Sequence, residues 1–226
     1  MAKPKTRKYE LHGETVWPMP DKLRPVFLTR LEEFRERHTR DPSGWEAYPW
    51  DPYRVVMFLW EMGAHPDVIV HPTKRHLHVE TTENGMVYVR WFRPKTKKLI
   101  SMPAPPSIRP WVESFVEDLK KNEGAGHLYV TQHYTVRGEK EPRERIQDVC
   151  PGKVTRLVKK VGRELGPEFA NYTPRSLRHT RGRRILEATH DITAVQKYLG
   201  TSLEVAGRYS RLGEDENDKR IADGEA

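Results

Sequence analysis

The chain has 226 residues, and its 40 Lys and Arg residues against 32 Asp and Glu residues give a formal net charge of +8. No apolar run reaches the length of a membrane-spanning helix, and the single cysteine, Cys150, excludes an internal disulfide framework. The basic N-terminus has no apolar stretch behind it, so we expect neither a secretory signal nor a membrane partner.

The first half of the chain predicts two helices and a small sheet. Residues 1–20 are basic and aperiodic, which predicts a flexible arm. Apolar residues at helical spacing then predict helices at Leu23–Arg37 and Tyr53–Met62. Asn84-Gly85 is a hairpin signal within the region that follows. Three segments there have strand character: Arg75–Glu80, Met86–Phe92 and Leu99–Met102.

The second half is predicted to be helical. Five segments have apolar residues at helical spacing: Ile108–Lys121, Val154–Leu165, Ser176–Ala188, Thr193–Leu199 and Leu203–Arg211. The fold class is therefore mainly α with a small three-stranded antiparallel sheet. We expect one domain at residues 21–212, between the arm and an acidic tail at residues 213–226.

Charge is distributed unevenly along the chain. The tail has a net charge of −4, which leaves +12 on residues 1–212. Residues 173–184 hold five arginines and no acid, and the pI is about 9.5. Clustered Arg and Lys are typical of proteins that bind nucleic-acid phosphates, and a solvated basic surface is the alternative interpretation.

Residues 173–212 contain short motifs in a fixed order. They are Leu177-Arg178-His179-Thr180, Ile185-Leu186-Glu187-Ala188, Asp191-Ile192, Val195-Gln196, Leu199-Gly200 and Arg208-Tyr209-Ser210. This series resembles the C-terminal catalytic block of the tyrosine recombinases, the phage integrase family. The upstream order is similar, because the family also has a helix followed by a three-stranded sheet. The resemblance covers about Lys22–Leu212 and implies the DNA breaking-rejoining fold of that family.

The resemblance places catalytic roles on Tyr209, Arg178 and Lys95. A phenol with a pKa of about 10 is a poor nucleophile near neutral pH unless cations stabilise the charge that develops on the phosphate. An arginine suits that task, because its planar fork offers two donors to one phosphate. Lys95 falls in the turn between the second and third strands and would donate a proton to the leaving oxygen. Lys97 and Lys98 are close competitors for that role.

Three positions depart from the family pattern. His65 stands at the first arginine of the family, Arg175 at the histidine of its His-x-x-Arg motif, and Thr201 at the histidine that follows Leu-Gly. The first two replacements look like an exchange. Our hypothesis is that His65 and Arg175 both point at one phosphate, so that the set of donors is partly preserved.

The resemblance implies double-stranded DNA as the partner and site-specific cleavage and rejoining, as in integration or recombination, as the activity. It implies no cofactor and no metal, and a homotetramer on DNA. Members of the family usually carry an additional N-terminal DNA clamp, so a partner that supplies a second clamp is possible. The expected location is the cytoplasm, at the nucleoid, or the host cell of a virus or mobile element. Seven basic residues are candidates for DNA contact: Arg181, Arg183, Arg184, Lys97, Lys98, Lys159 and Lys160.

Other functions stay open at this point. The three replaced positions fit a catalytically weakened or inactive DNA-binding relative, or an accessory subunit of an active recombinase. An RNA-directed or metal-dependent nuclease is more distant, since the sequence has no acidic metal cluster. His76 and His78 would share one face of the first strand, and with His71 they suggest a metal site, but no ligand spacing supports it.

Overall fold

The structure is a computed structural model that describes residues 9–11, 14–16, 18–45, 48–123, 129–134, 143–148 and 150–210. Side chains are described for residues 18–45, 48–123 and 150–207. The acidic tail predicted at residues 213–226 lies outside the described residues.

Eight helices are present among the described residues. They are α1 (Leu23–Arg40), α2 (Pro52–Met62), α3 (Pro66–Val70), α4 (Val112–Lys121), α5 (Pro151–Leu165), α6 (Pro174–Thr189), α7 (Ile192–Leu199) and α8 (Leu203–Ser210). Four of them begin at a proline, which has no N–H to leave unpaired and whose fixed φ suits the first helical turn. Thr173 adds a capping box to α6, because its hydroxyl and that of Ser176 each bond the other residue's backbone N–H.

The predicted sheet is confirmed as antiparallel and three-stranded. Its strands are β3 (His78–Thr81), β4 (Val87–Arg93) and β5 (Lys98–Pro103), with β4 in the centre. Two further hairpins were not predicted: β1 (Tyr9–Leu11) with β2 (Glu14–Val16), and β6 (Tyr129–Tyr134) with β7 (Arg143–Asp148). The mainly α fold with a small sheet is therefore correct, and the strand content is larger than expected.

The segment predicted as a flexible arm is attached to the domain near its end. Met19 is fully buried, and its backbone N–H donates to the hydroxyl of Thr180 on α6 at 2.8 Å. The β1–β2 hairpin also falls within the predicted arm. A run without apolar periodicity gave no local signal for these contacts, because Thr180 lies 161 residues further along the chain.

The core is organised around α2, a helix that is apolar on nearly every side. Ten of its residues are buried, and Trp60 packs against Phe27 of α1 with ring centroids 4.9 Å apart. Phe27 also meets Phe169 edge to face. Helix α6 packs against α2 and also contacts α7 and α8. In the part of the chain that the structure describes, no helix has the length and apolarity needed to cross a membrane.

The prediction of a strand that starts at Arg75 is wrong. Residues 72–76 form a turn between α3 and the sheet, in which the Leu77 N–H donates to the carbonyl of Pro72 at 2.8 Å. His76 has a φ of 50°, in the left-handed region, so it cannot continue an extended strand. His76 and His78 therefore do not share a strand face, which removes the geometric basis for a metal site there.

Candidate active site

Two helices end at glycines that lie close to each other in the fold. Gly63 ends α2 with a φ of 57°, and Gly200 ends α7 with a φ of 58°. A Cβ at Gly63 would lie 2.9 Å from Leu199 Cδ2, and a Cβ at Gly200 would overlap the Ile100 side chain. Glycine is required at both caps because the backbone is left-handed and the space is filled.

Arg178 connects these two helix ends. Its Nη1 donates to the carbonyl of Gly63 at 2.5 Å, and its Nη2 donates to the carbonyl of Leu199 at 2.5 Å. The carbonyl groups at a helix C-terminus carry partial negative charge and attract a cation. The guanidinium predicted to bind phosphate is therefore held in place by main-chain atoms of α2 and α7.

A second guanidinium lies at the same place. Nη1 of Arg93, the last residue of β4, donates to the carbonyl of Leu199 at 2.8 Å and also to that of Gly200. Arg93 and Arg178 thus share one acceptor, the Leu199 oxygen. Arg93 lies outside the sequence motifs, since its contacts span more than 100 residues. Its position two residues before Lys95 was the available signal.

His65 is the N-cap of α3, two residues after Gly63. Its Nδ1 accepts from the Asp67 N–H at 3.4 Å, and the residue is exposed to solvent. Partial desolvation of the ring is the main cause that lowers its pKa, followed by Arg178; Arg93 and Arg75 add smaller contributions, and Asp67 opposes them. The lowered pKa favours the neutral form of the His65 imidazole at neutral pH.

Titration of His65 makes a testable contribution to stability. Its pKa is lower in the folded chain than the value of about 6.5 expected when unfolded, so the unfolded state binds more protons and stability falls as pH drops below about 6.5. His65→Asn keeps a capping acceptor but does not titrate. We expect the wild type to lose more free energy of unfolding than this variant between about pH 7.5 and 5.5, measured by urea denaturation. Equal losses in the two proteins would contradict this assignment.

The lysine candidates lie where the sequence placed them. Lys95 is exposed in the 3₁₀ turn Pro94–Thr96 between β4 and β5, Lys97 ends that turn with a φ of 50°, and Lys98 begins β5. The turn directly follows Arg93, so it projects from the strand end that reaches Leu199. The choice of Lys95 over its two neighbours as proton donor stays a prediction.

The remaining catalytic candidates are on α6 and α8. Arg175 is partly buried in the first turn of α6. Tyr209 lies near the end of α8, a helix that packs against α6 and α7, and its side chain is outside the described residues. The exchange suggested for His65 and Arg175 and the nucleophilic role of Tyr209 stay predictions.

Two of the arginines selected for DNA contact pair with a buried carboxylate. Glu61 of α2 is 5% exposed and lies 3.7 Å from Arg181 and 3.1 Å from Arg184. Ser107 Oγ donates to the same carboxylate at 3.0 Å, and the Arg184 guanidinium stands over the Trp60 ring. Burial, with help from Arg184, lowers the pKa of Arg181 to about 10, so it stays charged at neutral pH. These contacts join α2 to α6, and DNA contact by either arginine stays a prediction.

Other DNA-contact candidates also have partners within the chain. Arg183 donates to Glu187 at 2.7 Å. Lys160 donates to the carbonyl of Gly44 and lies 3.9 Å from the Trp45 ring centre. Lys159 precedes it on α5 and is partly buried.

Within the described residues, no group of three or more His, Cys, Asp or Glu residues could hold a metal ion.

Helices around a three-stranded sheet, with α8 packed on the helices that hold Arg178, form the catalytic-domain fold of the tyrosine recombinases. The chain belongs to the phage integrase family, whose sequence profile matches residues 75–215. A structure of XerH site-specific recombinase bound to palindromic difH substrate, a post-cleavage complex, has a TM-score of 0.60 with 12% identity, over 93% of this chain and 54% of that one.

Two further structures extend this comparison. The pre-cleavage complex of XerH with difH substrate has a TM-score of 0.56 and 14% identity, over 92% of this chain and 56% of that one. XerA recombinase has a TM-score of 0.50 and 17% identity, over 90% of this chain and 65% of that one. The chain thus spans less than two thirds of the length of these relatives. No curated protein sequence matches it.

Proposed function

We propose that this chain cleaves and rejoins strands of double-stranded DNA at specific sites, through a 3′-phosphotyrosyl intermediate on Tyr209. The observation that carries the proposal is the position of Arg178, which the carbonyls of Gly63 and Leu199 hold at the junction of α2, α6 and α7. Helix α8, which carries Tyr209, follows α7 after a short connection and packs on α6. Membership of the phage integrase family supports the same reaction.

In the proposed reaction the phenol of Tyr209 loses its proton to water as its oxygen attacks the scissile phosphorus. A bond forms between that oxygen and phosphorus, the bond from phosphorus to the 5′ oxygen breaks, and the 5′ oxygen takes a proton to leave as a hydroxyl. Arg178 stabilises the charge on the phosphate oxygens, and Lys95 supplies the proton. The phosphotyrosyl ester keeps the energy of the broken phosphodiester. The 5′ hydroxyl can therefore reverse the reaction and rejoin a strand.

The proposal includes DNA as the partner of a basic surface. XerH is bound to its difH substrate in the two structures compared above, and we extend DNA binding to this chain by analogy. Lys95, Lys97 and Lys98 lie on the strand-end turn next to Arg93 and would contact the backbone near the cleaved phosphate. A tetramer on DNA and a second clamp supplied by a partner belong to the same proposal.

Covalent trapping tests this function. The substrates are nicked duplexes made from DNA that flanks the chain's own gene, and they lose their leaving strand after cleavage. Each duplex is incubated with the protein in EDTA, and the mixture is denatured before electrophoresis. We expect a protein–DNA adduct from the wild type and from Tyr198→Phe, a control on α7, and none from Tyr209→Phe. Cleavage that leaves no adduct and occurs only when Mg²⁺ replaces EDTA would indicate a metal-dependent nuclease instead.

A DNA-binding relative without cleavage activity is the second candidate. His65 favours it, because a neutral imidazole caps α3 where the family resemblance expects an arginine. Duplexes that are retarded by the wild type and by Tyr209→Phe alike, with no adduct from either, would favour this candidate over the recombinase.

A further inference from the structure

We propose that Arg93 contacts the scissile phosphate together with Arg178, so that two guanidinium groups form the anion-binding part of the site. This inference rests on the proposed function for the identity of the phosphate. Sequence motifs do not point to Arg93, and the structure places it beside Arg178 through the oxygen of Leu199.

The first step is the closeness of the two cations. Nη1 of Arg93 and Nη2 of Arg178 lie 2.8 Å and 2.5 Å from the same carbonyl oxygen, so the guanidinium groups are neighbours. The shared Leu199 oxygen holds the two planar cations side by side at the end of α7. A phosphate bound there could accept from both planar groups.

The second step is how the strand delivers Arg93. Side chains alternate along β4, and Val89 and Trp91 are buried on the core face. Arg93 continues that face beyond the core, where the strand end meets the end of α7. Arg90 lies on the opposite face and pairs with Glu80 at 2.7 Å. Two arginines three residues apart therefore have different environments, and only the second reaches the site.

The third step is the rigidity of the Arg93 side chain. Its Cδ lies 3.4 Å from where a Cβ of Gly200 would be, so its stem runs close to the end of α7. Two carbonyls fix the Nη1 end of the same side chain. Arg178 and, to a smaller extent, Arg93 help to lower the pKa of His65, in agreement with the contacts that place both near Leu199.

The first test measures anion binding without any cleavage. Inorganic phosphate replaces chloride at constant ionic strength while the midpoint of thermal unfolding is recorded for the wild type, Arg93→Gln and Arg90→Gln. We expect a saturable rise for the wild type and Arg90→Gln, and its loss in Arg93→Gln. Arg93→Lys, which keeps one cation, should retain part of the rise. A rise in Arg93→Gln equal to that of the wild type, or no rise in the wild type, would overturn the proposal.

The second test uses the covalent adduct. Arg93→Gln should form it about 100-fold more slowly than the wild type, as expected when one donor to a reacting oxyanion is removed, and Arg90→Gln should match the wild type. A duplex with a methylphosphonate at the scissile position carries no charge there, so on it the deficit of Arg93→Gln should shrink to a few-fold. A deficit of the same size on both duplexes would assign Arg93 to packing alone.

The two tests separate the two proposals. An adduct from the wild type with equal rates for Arg93→Gln would preserve the recombinase reaction and remove Arg93 from it. The absence of any adduct from the wild type would remove the reaction, and the phosphate titration would then decide whether Arg93 and Arg178 bind an anion.

Discussion

Arg178→Lys is expected to slow formation of the Tyr209–DNA adduct by about 100- to 1000-fold, although the positive charge is kept. One ammonium cannot donate to the carbonyls of Gly63 and Leu199 and also present a planar fork to a phosphate. The rate of adduct formation on a nicked duplex, measured in single turnover, checks this expectation.

The matched control for this substitution is Arg30→Lys. Arg30 also donates to a main-chain carbonyl at a helix end, that of Leu165 at 2.6 Å. This contact joins α1 to the end of α5, outside the candidate site. Arg30→Lys should lose a similar hydrogen bond and leave the adduct rate unchanged. If both variants slowed the reaction equally, loss of stability would explain the result better than a role of Arg178 at the phosphate.

Glu61→Ala is expected to destabilise the fold by about 3–5 kcal/mol, because it removes the counter-charge of two largely buried arginines. Arg181 and Arg184 would stay charged at the α2–α6 interface, and the Ser107 hydroxyl would lose its acceptor. Urea denaturation at neutral pH, with comparison of the midpoint and slope, measures the change.

Glu187→Ala provides the contrast. The Glu187 carboxylate also forms ion pairs with two arginines, Arg24 and Arg183. Its side chain is 40% exposed, whereas that of Glu61 is 5% exposed. Water can replace its contacts, so the loss should be about 1 kcal/mol or less. Equal losses for the two variants would mean that burial does not set the strength of the Glu61 cluster.

Local patterns predicted seven of the eight described helices, because most have apolar residues at helical spacing and several begin at a proline or a capping side chain. Helix α3 was missed, since its five residues are too few to show a helical period. The β6–β7 hairpin was missed as well, in a region of the sequence from which no element was predicted. The strand at Arg75 was placed too early, because a turn with a left-handed histidine interrupts it and histidine gives no such signal.

Motifs that lie close together in the sequence selected Arg178 and Lys95. Arg178 lies at the ends of α2 and α7 and Lys95 in the turn between β4 and β5, and their catalytic roles stay predictions. Arg93 and Glu61 were not selected, because their partners lie 106 and 123 residues away. The inward direction of Arg181 and Arg184 was also unpredictable, since it depends on a carboxylate supplied by another helix.

The anchoring of two arginines by carbonyl groups has a consequence for how this lineage can change. Every residue type carries the same backbone oxygen, so substitutions of the neighbouring side chains leave the anchors of Arg93 and Arg178 in place. We therefore expect substitutions at positions such as 65, 175 and 201 to leave the two cations in position. Substitutions at Gly63 and Gly200 should move them, because few other residues could adopt the left-handed backbone there.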